Sequence, residues 1–223
     1  MDTVPLLFVE DVARLLNEKS LSSLKDLSSS VFANVGRSLC EKQIYINIYV
    51  VYNATAGNFD YSVDCIRFPQ WDPYTFNPAD SRFVRQFGVR LRKNKSDVWS
   101  KATWTIATPS DPTLLKWLGA PFARTTLELY ANCPEFLKLL PDYCTFNRIY
   151  AFSAYTNLID AIIQRSQEGG RLESVTCRKF FQKRRREASI NWIAGNKRLK
   201  WISGADIRVQ GSIDRVLTQI GVH

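Results

Sequence analysis

Residues 146–177, FNRIYAFSAYTNLIDAIIQRSQEGGRLESVTC, decide the fold because they contain the same short pattern at both ends. The pattern is Phe146-x-x-Ile149-x-Ala151 at the start and Leu172-x-x-Val175-x-Cys177 at the end, and in each copy the apolar positions alternate as in a strand. Between the two copies, apolar residues in 158–165 recur at helical spacing. The stretch therefore predicts a strand, a helix and a second strand.

The same pattern continues on both sides of this stretch, as Leu199-x-x-Ile202-x-Gly204 and as a partial copy in 126–129. The central residues are separated by 22, 26 and 27 positions, and they are Leu127, Ile149, Val175 and Ile202. Such spacing falls within the period of about 20–29 residues that leucine-rich repeats have. Helices are expected to follow the strands at 134–140, 158–165, 187–194 and 213–220.

Two architectures suit this alternation of strands and helices. One is a stack of leucine-rich-repeat-like β/α units with a small parallel sheet, in which each unit covers the apolar face of its neighbour. The other is an ordinary doubly wound α/β domain whose spacing is accidental. In either case, alternation along the strands predicts that Glu128, Tyr150, Thr176 and Ser203 face outward.

The first 40 residues predict two or three short amphipathic helices over 3–40. Pro5 suits a first turn, and a helix of about three turns is indicated by the apolar residues Phe8, Val12, Leu15 and Leu16. Ser20 is suited to cap a second helix, which Gly36 is expected to end. The apolar stripe of that second helix comprises Leu21, Leu24, Leu27, Val31 and Val35.

The middle of the chain changes to a period of two residues. Residues 44–52 are rich in β-branched and aromatic side chains, and 59–68 resume the pattern after a loop that contains Gly57. We expect an antiparallel hairpin there, then strands at 82–92 and 102–107, with Pro109 and Pro112 ending the region. This gives three predicted parts: 1–40, 41–110 and 111–223.

The chemistry-bearing residues are sparse. The chain has a single histidine, the terminal His223, and no glycine-rich phosphate loop or zinc-protease motif, which argues against an enzyme. Asp60 and Asp64 lie on one face of a predicted strand, but exposed strand residues do the same. The five cysteines form no CxxC pair. We expect no catalysis, no cofactor, no metal site and ordinary buried thiols.

Location and partners are constrained by hydropathy and charge. The longest apolar run, 44–52, is too short to cross a membrane, and the N-terminus lacks the features of a secretory leader, so a cytoplasmic or nuclear protein without membrane contact is expected. The net charge of +9 permits attraction to nucleic acid or to acidic proteins.

A basic segment at 178–186 concentrates part of this charge. It suits a nuclear localisation signal or a nucleic-acid contact, and equally an ordinary solvated surface. Its basic residues are Arg178, Lys179, Lys183, Arg184, Arg185 and Arg186.

The N-terminal pattern also resembles a diverged F-box, which opens on Leu-Pro, continues with an amphipathic helix and closes on an aromatic residue. The residues that carry this resemblance are Val4-Pro5, Phe8, Val12, Leu15-Leu16, Leu21, Leu24 and Phe32. The Tyr-rich hairpin and the segments 180–192 and 197–199 are similar to the large F-box-like families expanded in nematodes.

This resemblance implies an α+β fold with F-box-like helices, antiparallel β hairpins and leucine-rich-repeat-like β/α units. It also implies a non-catalytic subunit of a cullin-based ubiquitin ligase, which binds a Skp-type adaptor through its first helices and an unknown protein substrate through its C-terminal body. The residues that would dock on the adaptor are Pro5, Leu6, Leu7, Val12, Leu15 and Leu16. The alternatives are a nuclear or nucleic-acid-binding protein that uses the basic segment, and a family member that does not bind the adaptor.

Overall fold

The structure is a computed structural model of the 223-residue chain. It describes residues 5–16, 18–41, 44–65, 84–98, 102–120, 122, 124–152, 157–177, 201–203 and 208–210. Within these ranges the chain is a mixed α+β protein, and the mixed class expected from the sequence is confirmed.

Three short helices form the N-terminal part: α1 (Leu6–Leu15), α2 (Glu18–Leu24) and α3 (Ser30–Glu41). Both α1 and α2 pack on α3. Their shared apolar core consists of Val9, Ala13, Leu21, Val35 and Leu39. The predicted set of short amphipathic helices is therefore confirmed, but Ser20 lies inside α2 and does not cap it.

The prediction that Gly36 ends the second helix was wrong. That helix ends at Leu24, and Gly36 lies inside α3. A Cβ atom added at Gly36 would lie 2.7 Å from the backbone nitrogen of Lys25, so glycine here allows the end of α2 to approach α3 closely. The sequence pattern alone does not distinguish a glycine that ends a helix from one that permits close packing.

The described strands form one nine-stranded sheet in the order β4-β2-β1-β3-β5-β6-β7-β8-β9. Its strands are β1 (Ile44–Asn53), β2 (Asn58–Cys65), β3 (Val84–Arg92), β4 (Thr105–Ala107), β5 (Thr125–Leu129), β6 (Arg148–Ala151), β7 (Ser174–Cys177), β8 (Trp201–Ser203) and β9 (Arg208–Gln210). The turn of residues 54–57 joins β1 to β2, and Gly57 adopts a positive φ of 64° in it. A connection this short forces the two strands to run antiparallel, as expected.

The strands β5, β6, β7 and β8 are parallel, and their register matches the sequence repeat. Leu127 pairs with Ile149, Ile149 with Val175, and Val175 with Ile202. The four residues aligned from spacing alone thus lie side by side, and the predicted small parallel sheet is confirmed as part of the larger one. The final strand, β9, returns antiparallel to β8.

Helices lie in the connections from β5 to β6 and from β6 to β7. The helix α5 (Phe136–Leu139) lies within the predicted 134–140, and α6 (Asn157–Glu168) extends the predicted 158–165 at both ends. Because crossovers between neighbouring parallel strands are right-handed, both helices lie on the same face of the sheet. That face is the core, where Leu127, Ile149 and Val175 are fully buried. The helices predicted at 187–194 and 213–220 lie outside the described residues.

One helix was not predicted. Pro112 was interpreted as the end of the strand region, whereas it begins α4 (Pro112–Leu118). The carboxylate of Asp111 caps this helix by accepting hydrogen bonds from the backbone N–H groups of Thr113 and Leu114, and proline is favoured in a first turn. The short 3₁₀ helix Lys95–Asp97 also went unpredicted.

Contacts divide the chain into two compact units. One contains residues Met1–Ile46, Cys65–Phe87 and Ala120–Ala123, and the other contains Asn47–Asp64, Gly88–Gly119 and Arg124–His223. The division into 1–40, 41–110 and 111–223 stays a prediction. None of the described helices is both long enough and apolar enough to cross a membrane.

Candidate protein-interaction surfaces

The first candidate site is an exposed apolar surface on α1. Leu6, Leu7, Phe8 and Val12 expose 54%, 72%, 60% and 39% of their surface, and we call these four residues the α1 apolar surface. Large apolar side chains scattered singly on a surface are ordinary, but a group on a single short helix indicates a site of association.

The geometry of α1 explains why Phe8 and Val12 point outward. Val9 and Ala13 are each 1% exposed and hold the helix against α3. With 3.6 residues per turn, Phe8 and Val12 then share a neighbouring stripe that the core does not cover. The backbone N–H of Val9 donates to the carbonyl of Pro5 at 3.2 Å, so the apolar surface starts in a formed first turn.

The expected adaptor-binding residues fall into two groups. Pro5, Leu6, Leu7 and Val12 are exposed. Leu16 is half-buried and packs against the helical core, and its carbonyl accepts a hydrogen bond of 2.6 Å from the guanidinium of Arg85.

The side chain of Leu15 lies outside what the structure describes. Phe8, which the sequence analysis assigned to the helix stripe and to the F-box resemblance but not to the adaptor contact, is more exposed than Leu6.

The second candidate site lies on the sheet face opposite α5 and α6. Cross-strand register places Glu128 beside Tyr150, and Tyr150 beside Thr176, and all three are half-buried rather than in the core. The prediction that these three positions face away from the core is confirmed. Ser203 continues the row in register, but its side chain lies outside the described part of the chain.

Two arginines, three aromatic residues and one glutamate lie together on this face of the sheet. We call these six residues the arginine–aromatic cluster. Its members are Tyr49, Arg90, Arg92, Glu128, Tyr130 and Phe152. They come from β1, β3, β5 and β6 or the residue directly after each strand, so the sheet register brings together positions that are far apart in sequence.

The positive charge of Arg90 is paired with a carboxylate within the cluster. Its Nη2 atom lies 3.2 Å from Oε1 of Glu128, and its Nη1 donates to the hydroxyl of Tyr49 at 3.4 Å. The second oxygen of Glu128 accepts a hydrogen bond of 3.0 Å from the hydroxyl of Tyr130. Glu128 therefore fixes both an arginine and a tyrosine.

Arg92 has a different environment. Its Cζ atom lies 3.8 Å from the centroid of the Tyr130 ring and 5.9 Å from that of Tyr49, which are cation–π distances. The Tyr130 ring in turn stacks on Phe152, with centroids 4.5 Å apart and an angle of 16° between the rings. Arg92, Tyr130 and Phe152 thus form a stack that ends on Phe152, which is 44% exposed.

The surroundings of Tyr130 in the cluster raise the pKa of its phenol above the ordinary value. Burial of the phenol contributes most, and the charge and hydrogen bond of Glu128 add to it, while Arg92 and Arg90 act in the opposite direction. At neutral pH the phenol is therefore protonated and donates to Glu128.

The remaining candidate residues have structural explanations. Asp60 is buried and paired with Lys95, whose Nζ lies 3.0 Å away, whereas Asp64 is exposed, so the two carboxylates do not form a pair. Within the described ranges no group of three potential metal ligands comes together. The six basic residues of 178–186 lie outside the described residues.

Two cysteines are unreactive by environment. Cys133 and Cys144 are both buried. Burial raises the pKa of each thiol to about 12, and a hydrogen bond from Sγ of Cys133 to Glu135 adds to the effect at that residue. Since the thiolate is the nucleophile, neither thiol suits catalysis at neutral pH.

Comparison of the chain with protein-family models, with curated proteins and with solved structures found no match.

Proposed function

We propose that the protein is a non-catalytic, F-box-like substrate-recognition subunit of a cullin-based ubiquitin ligase, with the α1 apolar surface as its contact with a Skp-type adaptor. The observation that supports this proposal is the exposure of Leu6, Leu7, Phe8 and Val12 on one short helix. A helix that places apolar side chains in a partner's groove is a recurrent mode of protein recognition.

The free energy gained by burying these apolar side chains is large enough to support such a contact. Complete burial of a side chain such as Leu or Phe contributes roughly 1.5–3 kcal/mol. Leu7 and Phe8 still expose well over half of their surface, so most of that contribution remains available to a partner. Hot spots at protein interfaces are small groups of such residues.

In this proposal the leucine-rich-repeat-like β/α units form the body that holds the substrate. The in-register pairing of Leu127, Ile149 and Val175 supports it, because each unit then covers its neighbour's apolar edge as stacked repeats do. The accessible sheet face would be the surface that faces the substrate.

Co-purification with a Skp-type adaptor tests the adaptor contact. The double variant Leu7→Asp/Phe8→Asp places two charges on the α1 apolar surface without touching its buried residues. We expect the wild-type chain to capture the adaptor and the variant to lose it by at least about tenfold, since charges at an apolar interface centre must be desolvated. Thermal unfolding of both proteins should be alike.

Ile106→Asp is the matched control. Ile106 is 58% exposed on β4 and lies outside α1, so the same change in chemistry there should leave capture intact. Absence of adaptor capture by the wild-type chain would remove the ligase role, and equal loss in the control would show that the α1 apolar surface is not the contact.

A further inference from the structure

The cluster contains two arginines with unequal partners. Arg90 and Arg92 lie two positions apart on β3 and so point to the same face of the sheet. Arg90 has a carboxylate partner in Glu128, whereas the described residues provide Arg92 with aromatic rings and no carboxylate. The Nε atoms of both arginines are buried, and no described residue supplies either of them with a hydrogen-bond acceptor.

We propose that the arginine–aromatic cluster binds an acidic segment of a protein partner, whose carboxylate engages the guanidinium of Arg92 and whose neighbouring apolar side chain packs on Phe152. As the site where a recognition subunit would hold its substrate, this inference rests on the proposed function. The binding step itself needs no adaptor and can be measured separately.

Charge complementarity favours a carboxylate at Arg92. Hydrogen bonds between guanidinium and carboxylate groups are about twice as strong as neutral ones, and the planar fork of arginine suits both carboxylate oxygens. Glu128 already has Arg90 and Tyr130 as partners, so the positive charge of Arg92 is the unbalanced one in the cluster. The net charge of +9 attracts an acidic partner from a distance.

Preorganisation reduces the cost of binding. The ring of Tyr130 lies between Arg92 and Phe152, and its hydroxyl is fixed by Glu128. The arginine side chain is therefore already positioned before a ligand arrives, and less conformational entropy is lost when the ion pair forms. The exposed ring of Phe152 supplies an apolar contact next to the cation.

The same geometry disfavours a polynucleotide. A nucleic-acid strand carries a phosphate at every nucleotide, and successive phosphates would approach the carboxylate of Glu128. An isolated carboxylate can meet Arg92 without that repulsion. The residues in this site favour an acidic peptide with an apolar or aromatic neighbour.

Fluorescence anisotropy on the full chain tests the inference. The probe is a short labelled peptide that carries one Glu next to one Phe between Gly-Ser spacers, and its comparison peptide has Gln in place of the Glu. We expect the wild-type chain to bind the Glu peptide about tenfold more tightly than the Gln peptide. Arg92→Gln should remove this preference, and Arg92→Lys, which keeps the charge but not the planar fork, should reduce it in part.

Lys138→Gln is the charge-matched control. Lys138 is exposed on α5 and changes the net charge by the same amount, so binding should be unchanged. Thermal unfolding verifies that each variant folds, and Arg92→Lys provides the test if Arg92→Gln does not fold.

Equal affinity for the two peptides would overturn the inference, as would equal loss in Lys138→Gln, because binding would then follow the overall charge. Tighter binding of a single-stranded oligothymidylate that depends on Arg92 would assign the site to nucleic acid and overturn it as well. A chain that binds the Glu peptide through Arg92 but captures no adaptor retains this site and loses the proposed ligase role.

Discussion

At the scale of single residues, the buried side chain of Asn147, directly before β6, forms hydrogen bonds to two other segments of the chain. Its Oδ1 accepts a hydrogen bond from the backbone N–H of Thr125 at 2.9 Å, and its Nδ2 donates to the carbonyl of Arg171 at 3.1 Å. One buried side chain therefore connects the segments that lead into three neighbouring strands, β5, β6 and β7.

Replacing this side chain should lower the free energy of unfolding. Asn147→Ala leaves the N–H of Thr125 and the carbonyl of Arg171 without these partners, and each unsatisfied buried group costs about 1–3 kcal/mol, so a loss of roughly 2–4 kcal/mol is expected. Asn53→Ala is the control because the Asn53 side chain accepts only an exposed turn hydrogen bond from Ala56, and its removal should cost under about 1 kcal/mol. Urea unfolding measures both. Equal losses would contradict the role given to Asn147.

The cysteines provide a second prediction at this scale. With a pKa of about 12, the Cys133 and Cys144 thiols should be ionised in only roughly one molecule in ten thousand at pH 8. Iodoacetamide labelling of the native protein followed by mass spectrometry should therefore modify the half-buried Cys40 and Cys65 first. Labelling of Cys133 and Cys144 should increase as the pH rises toward 12 or when the protein unfolds. Rapid labelling of Cys144 at pH 8 in the folded protein would contradict the buried position of this thiol.

The positions and contacts of single residues could be predicted only in part from the sequence. Alternation correctly placed Glu128 and Tyr150 on the accessible face of the sheet, because a strand reverses its side chains at every residue. The contact of Arg92 with Tyr130 was not predictable, since it depends on which strands are neighbours. A run of apolar residues marks a strand without specifying the strand beside it.

At the scale of elements, the close packing of α2 on α3 depends on Gly36. In an exposed helix, alanine in place of glycine stabilises by about 0.5–1 kcal/mol. Here the added Cβ would lie 2.7 Å from the nitrogen of Lys25 and 3.0 Å from the carbonyl carbon of Leu24, so the helices must separate. Gly36→Ala should therefore destabilise the protein by about 1–3 kcal/mol, the usual cost of overpacking.

The direction in which Gly36→Ala shifts the melting temperature distinguishes the two possibilities. A lower melting temperature for Gly36→Ala supports the close approach of the two helices, whereas a higher one would mean that α3 has room at this position. Gly57→Ala is a useful comparison, because its Cβ would meet no atom of the described residues within 4 Å and the cost there comes from the positive φ.

Elements whose pattern is local were predicted well. The strands β5, β6 and β7 and the helix α6 follow from apolar spacing within a few residues, and their register follows from the repeat. The helix α4 was missed because Pro112 was treated as a stop, although Asp111 before it is a favourable cap. A proline can either end one element or begin the next, and the residues next to it decide which of the two it does.

At the scale of the whole molecule, two surfaces carry the functional account. The α1 apolar surface belongs to the compact unit that includes Met1–Ile46, and the arginine–aromatic cluster belongs to the other unit. Through the resemblance to an F-box, sequence reasoning named Leu6, Leu7 and Val12 of the first surface, and their contact with an adaptor stays a prediction. Sequence reasoning could not identify the second surface, because its six residues come from four strands or the positions directly after them, and among the six only Glu128 lies within a copy of the repeat.

The separation of the two surfaces has a measurable consequence. If α1 binds the adaptor and the cluster binds the acidic segment, each set of variants should affect one activity only. Leu7→Asp/Phe8→Asp should retain the peptide preference, and Arg92→Gln should still capture the adaptor. Loss of both activities in either variant would indicate a general folding defect.

Hydrogen–deuterium exchange of the full chain, with and without a purified Skp-type adaptor, tests the central proposal most directly. We expect the adaptor to slow exchange in the peptide that covers Leu6–Leu15 and to leave exchange in Thr125–Leu129 and Arg148–Ala151 unchanged. Unchanged exchange in Leu6–Leu15 at an adaptor concentration that saturates binding would contradict it.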